Sequence, residues 1–179
     1  MLQAAALNQI TADDIFNIDS IMSSRSGFMH ILLSTAIALL LTIVPMPHML
    51  NMGRPDWLLL IVIYWSLNAA MVTGLTYAWC CGLLLDALVG TLIGQHALAF
   101  VLIATLAQHF QFRIRVFPVL HQAIIVLLLI VVYKFMLFWI DGIVGTAFSS
   151  WLRWVPAMIG ALFWPVIVAV LDTSTRNIR

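Results

Sequence analysis

The sequence predicts an all-α integral membrane protein of about six transmembrane helices, and three observations carry that reading. Of its 179 residues, 64% are hydrophobic and 8% are charged, where a soluble domain is about half apolar and a quarter charged. Mean hydropathy is +1.09. The apolar residues gather in six runs near the length a bilayer requires, punctuated by prolines, glycines and most of the charges. This composition excludes an ordinary soluble enzyme and a disordered tail. Net charge is +1 and the tightest cationic pair is Arg113 with Arg115, so nothing forms a basic patch for nucleic acid. The absence of any glutamate removes many acid–base and metal templates.

Residues 1–27 form a polar cytoplasmic extension. Asp13, Asp14 and Asp19 stand against a single cation, Arg25, so the positive start of a signal peptide is missing. Thr11-Ala-Asp-Asp14 has the form of a helix start, and Ile15, Ile18 and Met22 recur at helical spacing. The extension reads as a short amphipathic helix at the membrane interface or as a docking peptide.

Residues 28–172 form the membrane domain. The first span is 28–44, closed by Pro45-Met46-Pro47. The second, 55–70, is somewhat short and starts with Pro55, a residue suited to a first helical turn. The third and fourth are 73–90 and 94–112, and the second, third and fourth are joined by very few residues, giving two tight hairpins. The fifth is 118–140 and the sixth 151–171, interrupted by Pro156 and Pro165; residues 173–179 are a short tail. With six spans, Arg25, Arg113, Arg115, Arg176 and Arg179 share one side and Arg54 and Arg153 the other, which places both termini in the cytoplasm. Trp57, Trp139, Trp151 and Trp154 fall near the outer boundary, while Trp65, Trp79 and Trp164 lie deeper.

Polar groups inside hydrocarbon are costly and therefore informative. Gly82, Asp86, Gly90 and Gly94 recur every four residues, so span three presents a groove with a carboxyl in it and Gly94 falls in the turn to span four. Lys134 is the other deep charge. At a rise of about 1.5 Å per residue, Asp86 lies roughly 20 Å and Lys134 roughly 24 Å from the inner surface. Two partners for Asp86 stay open: Lys134 within the chain, or a neighbouring helix in the Gly82–Gly90 groove. Ordinary helix packing is the bland alternative. Arg54-Pro55-Asp56-Trp57 opens span two, with Asp56 at the positive end of the helix dipole, either as a well-made terminus or as a platform for a partner.

His30, His48, His96, His109 and His121 lack a second metal-type ligand at helical spacing, and His109 and His121 flank the loop with Arg113 and Arg115. Cys80 and Cys81 read as small hydrophobes. No nucleophile elbow or zinc-protease motif occurs.

Arg54-Pro-Asp-Trp-Leu-Leu-Leu, Tyr64-Trp65, the segment from Gly82 to Leu98 that carries Asp86, and Gly160-Ala-Leu-Phe-Trp-Pro165 together resemble the bacterial rod shape-determining MreD family, in order and over residues 28–170. The acidic extension departs from the family's usual short start. The resemblance implies a multi-pass protein of the inner membrane. Its fold would be similar to the six-helix substrate-binding components of energy-coupling-factor transporters, with no enzymatic activity and no cofactor. It implies work with MreC as direct partner, and with RodA, its transpeptidase and MreB as the wider machinery that elongates the peptidoglycan wall. A homo-oligomer stays open. The alternatives are a small-molecule-binding transport component and an intramembrane enzyme built on Asp86. The first is weakened because the first span offers only Ser34-x-x-x-Ala38 for helix docking. The second lacks another carboxyl and an activated nucleophile.

Overall fold

A computed structural model describes residues 27–44, 54–145 and 154–176. The extension before Gly27, the loop with Pro45 and Pro47, Trp151, Arg153 and the last three residues lie outside the described residues, as do the expectations placed on them. Among the described residues the chain forms helices α1 (Gly27–Ile43), α2 (Trp57–Asn68), α3 (Ala70–Val89), α4 (Gln95–Val116), α5 (Val119–Val144) and α6 (Val155–Arg176).

The central element is α2. It has 12 residues, and Leu58, Leu59, Leu60, Val62, Ile63, Tyr64, Trp65, Ser66 and Leu67 are all buried. A helix apolar on every side must be surrounded on every side, and α2 packs against α3, α4 and α6. The helices around it each spend one stripe on the core. In α4 the stripe is small, with Ala97, Ala104 and Ala107 beside Phe100 and Ile103. In α5 it is Val126, Leu129, Ile130, Tyr133, Lys134 and Leu137. In α6 it is Ala157, Ala161, Trp164, Ile167 and Leu171. In α1, Ile31, Thr35 and Ala38 face inward, where Thr35 Oγ1 lies 2.6 Å from the Tyr77 hydroxyl and the Trp65 indole donates to Ser34 Oγ at 2.9 Å.

The outer surface is as apolar as the core. Leu40, Leu88, Leu128, Phe135, Leu162 and Val170 are exposed on four different helices. A soluble monomer rarely leaves such a continuous apolar surface to water; hydrocarbon is the solvent that suits it. Helix α5 and the segment Val155–Thr173 of α6 are long and apolar enough on their own to cross a membrane. The 12 residues of α2 span about 18 Å against a hydrocarbon core of about 30 Å, so this helix does not cross by itself.

The structure shifts several boundaries. Span two ends at Asn68, where Ala69 leaves helical geometry, and Gly74 (φ 46°) kinks the start of α3. Within this break Thr73 is buried, and its hydroxyl donates to the Ala69 carbonyl at 2.9 Å, which satisfies one backbone group where the helix is interrupted. Helix α4 runs to Val116, so Arg113 and Arg115 sit in its last turn rather than in a loop. The α4–α5 connection shrinks to Phe117 and Pro118, because a residue before proline is driven to the extended geometry seen at Phe117 (φ −76°, ψ 149°). Pro156 falls in the first turn of α6, where its missing donor costs little, and α6 continues through Pro165.

Candidate functional site: the carboxylate-tied end of the bundle

Three polar ties converge at the end of the bundle where α2 starts, α3 turns into α4 and α5 finishes. The first is the α3–α4 hairpin. Gly82 lets the helices touch: a Cβ there would overlap the backbone of Ala97 and His96. Gly90 (φ 71°) ends α3 in the left-handed conformation and Gly94 (φ 101°) starts α4. A helix start leaves backbone N–H groups without intrahelical partners, and here the turn folds them onto a buried side chain of α3. Asp86, fully buried, supplies the acceptor. Its Oδ2 accepts from the Gly94 N–H at 2.8 Å and the Ala97 N–H at 3.4 Å. Its Oδ1 accepts from the His96 N–H at 3.0 Å and the Thr91 hydroxyl at 2.9 Å. His96 Nδ1 lies 2.7 Å from the same oxygen, a geometry that requires the proton on Nδ1. Burying the carboxylate costs about 2.5–3.5 kcal/mol on insertion scales. Charge-assisted hydrogen bonds at about 1.5–3 kcal/mol each, at the positive end of a helix, offset that cost.

The second tie is Arg54-Pro-Asp-Trp. Its four residues reach three other helices. The Arg54 guanidinium donates to the Leu41 carbonyl at the end of α1. Pro55 is buried beside Gly160 of α6. Asp56 Oδ2 lies 2.6 Å from Lys134 Nζ on α5. The Trp57 ring meets Phe163 of α6 edge-on at 5.4 Å between centroids. Asp56 makes no side-chain cap bond to its own helix, because its carboxylate is turned to Lys134. The third tie joins α4 to α5, with the Gln95 amide donating to Asp141 Oδ1 at 2.7 Å.

The structure therefore corrects the two readings of Asp86. Asp86 and Lys134 do not pair: each has a nearer partner, His96 and Asp56, and Tyr133 packs beside His96 with ring centroids 6.2 Å apart. Nor does a groove at Gly82 stay open for another protein, since α4 of this chain fills it. The four-residue spacing of Gly82, Asp86, Gly90 and Gly94 encodes a hairpin: one close approach, one buried cap, two left-handed turn residues. His96 was visible only as the start of a span, and its place at Asp86 follows from the tightness of the turn. Gln95–Asp141 and the bond from the Tyr64 hydroxyl to Asp172 Oδ1 (2.7 Å) left no local sequence signal. Among the described residues no three His, Cys, Asp or Glu side chains gather as a metal site, and Cys80 and Cys81 are free thiols, one exposed and one buried. The carboxylates at this end are occupied in holding helices together, an arrangement suited to a rigid membrane body.

A family model described as rod shape-determining protein MreD matches residues 23–173. A curated protein of Haemophilus influenzae named rod shape-determining protein MreD is 25% identical over 143 residues, which cover 80% of this chain and 88% of that protein. No solved structure matches. The family match takes in the central helix, the Asp86 hairpin and the Arg54-Pro-Asp-Trp terminus alike, and the chain belongs to the MreD family of rod shape-determining proteins.

Proposed function

We propose that the protein is a non-enzymatic scaffold of the bacterial inner membrane that helps maintain rod shape by positioning the peptidoglycan elongation machinery, with MreC as its direct partner. RodA, its transpeptidase and MreB form the wider complex. The observation that carries the reading is the use of the carboxylates at this end: buried Asp86 and half-buried Asp56 and Asp141 each engage another part of this chain, which favours a stiff platform over a reactive centre. The six apolar runs set the proposed number of crossings, and with six the five-to-two arginine bias puts both termini in the cytoplasm. The transporter-like alternative gains no support from the cavity at the far end of the bundle. That cavity has a volume of about 140 Å³, below the roughly 300–1,000 Å³ of small-molecule sites.

Two experiments test this. Affinity purification from membranes should recover MreC in near-constant ratio with the wild-type chain; its absence under mild detergent removes the partner assignment. A reporter active only in the periplasm, fused after Arg179, should stay silent; a strong signal means an odd number of crossings.

A further inference from the structure

An apolar groove runs down the outside of the bundle between α1 and α6, with α2 as its floor. Ile37 and Leu41 form one wall, Phe163 and Val166 the other, and Trp57 and Ile61 the base; its volume is about 290 Å³. On α6 it extends from Phe163 to Leu171 and on α1 from Leu41 back to Ser34, a run of about 12 Å at the helical rise. That is close to one leaflet, half of a hydrocarbon core about 30 Å thick. A partner's transmembrane helix requires a seam along the whole bilayer; a single acyl chain requires about the length found here.

The mouth of the groove is charged. Arg54 donates to the carbonyl of Leu41, the residue that lines the top of the groove. Its Nε is buried without a hydrogen-bond partner among the described residues, and the residue as a whole is half-buried, so an anion reaches the guanidinium only from its exposed side. Asp56, the nearest carboxylate in sequence, is taken by Lys134. One net positive charge therefore stands over an apolar slot one leaflet deep. Moving an acyl chain from bulk lipid into the slot yields little by itself, since lipid tails are as apolar as the groove. Selectivity must come from the headgroup. We propose that the groove holds one acyl chain of an anionic phospholipid whose phosphate rests on the Arg54 guanidinium.

The test is native mass spectrometry of the full chain, released from detergent with phosphatidylglycerol or phosphatidylcholine of identical acyl chains. Phosphatidylglycerol should be retained in preference. Arg54→Gln should reduce its retention roughly tenfold, the value of one charge-assisted contact, and leave phosphatidylcholine unchanged; Arg54→Lys should keep the preference. Val166→Trp fills the groove without touching a polar group and should reduce retention of both lipids, so the assignment stays testable if Arg54→Gln fails to fold. Equal retention of the two lipids by the wild-type chain overturns the proposal, as does unchanged retention in Val166→Trp. Displacement of phosphatidylglycerol by glycerol phosphate at equal concentration reduces the site to an anion contact and also overturns it. A photocrosslinker at Ile37 should capture lipid in native membranes; exclusive capture of a second copy of the chain, or of another protein, assigns the groove to a protein interface instead.

Discussion

The two ends of the helix bundle are held by different chemistry. Where α2 begins, charged groups join α3 to α4, α2 to α5 and α4 to α5, and Gly82 brings two backbones into contact. At the opposite end the Tyr64 hydroxyl donates to Asp172, but the amides of Asn68 and Gln122 turn to nearby backbone carbonyls, those of Tyr64 and Phe117. A cavity of about 140 Å³ remains there among Leu67, Ile114, Trp164 and Asp172. The difference follows from where unpaired backbone is folded inward. The start of α4 turns its N–H groups toward the last turns of α3, so their acceptor comes from the protein, and a buried carboxylate supplies it despite its cost. The other end lies where α2 stops short. Asn68 and Gln122 serve local carbonyls, the helices are tied by the Tyr64, Trp65 and Tyr77 side chains rather than by a carboxylate held on backbone N–H groups, and space is left over.

The comparison can be broken at its strongest point first. Gly82→Leu forces a side chain into the backbone of α4, and overpacking against immovable atoms costs about 3 kcal/mol or more. Size-exclusion chromatography in detergent should show loss of the monodisperse peak; a normal peak would mean that α3 and α4 can separate without harm. Asp86→Asn comes next, at about 3 kcal/mol, because a neutral amide with one oxygen accepts less well from three backbone N–H groups and competes with His96. A melting curve in detergent should shift down, and adding Lys134→Met should add to the loss rather than relieve it, since the two side chains share no partner. The Asp56–Lys134 pair should behave oppositely. Asp56→Asn and Lys134→Met alone each leave one partly buried charge unpaired, at about 1–2 kcal/mol, while the double variant recovers part of that. A purely additive double variant would sink the ion pair. The smallest effect is expected at the far end: Tyr64→Phe removes one hydrogen bond at about 1 kcal/mol, and a drop as large as that of Asp86→Asn would erase the distinction between the ends.

The elements were legible because prolines and glycines mark the ends of apolar runs: Pro45 and Pro47, Pro55, Gly90, Gly94 and Pro118. The importance of Asp86 was legible too, since a carboxylate amid leucines demands an explanation. Its partner was not. Four-residue spacing on a helix suggests a face, and a face suggests another helix. The pairing of Asp86 with His96 instead depends on the left-handed backbone at Gly90 and Gly94, which folds α4 back over the last turn of α3. Lys134 and Asp56 lie on different helices, far apart in sequence, and helical rise gives depth without azimuth. The same missing azimuth made Asp86 and Lys134 look like neighbours.

The brevity of α2 constrains the order in which the chain can be assembled. A 12-residue segment cannot leave the insertion machinery as a stable lone crossing, and its buried faces are completed by α4 and α6, which are synthesised later. Residues 54–69 must therefore wait, half-housed, until the downstream hairpins arrive. Nascent chains arrested after α3 should leave Trp57 accessible to aqueous quenchers, and chains extended through Leu171 should shield it. Biogenesis of this small protein is then non-sequential, with its second helix the last to settle.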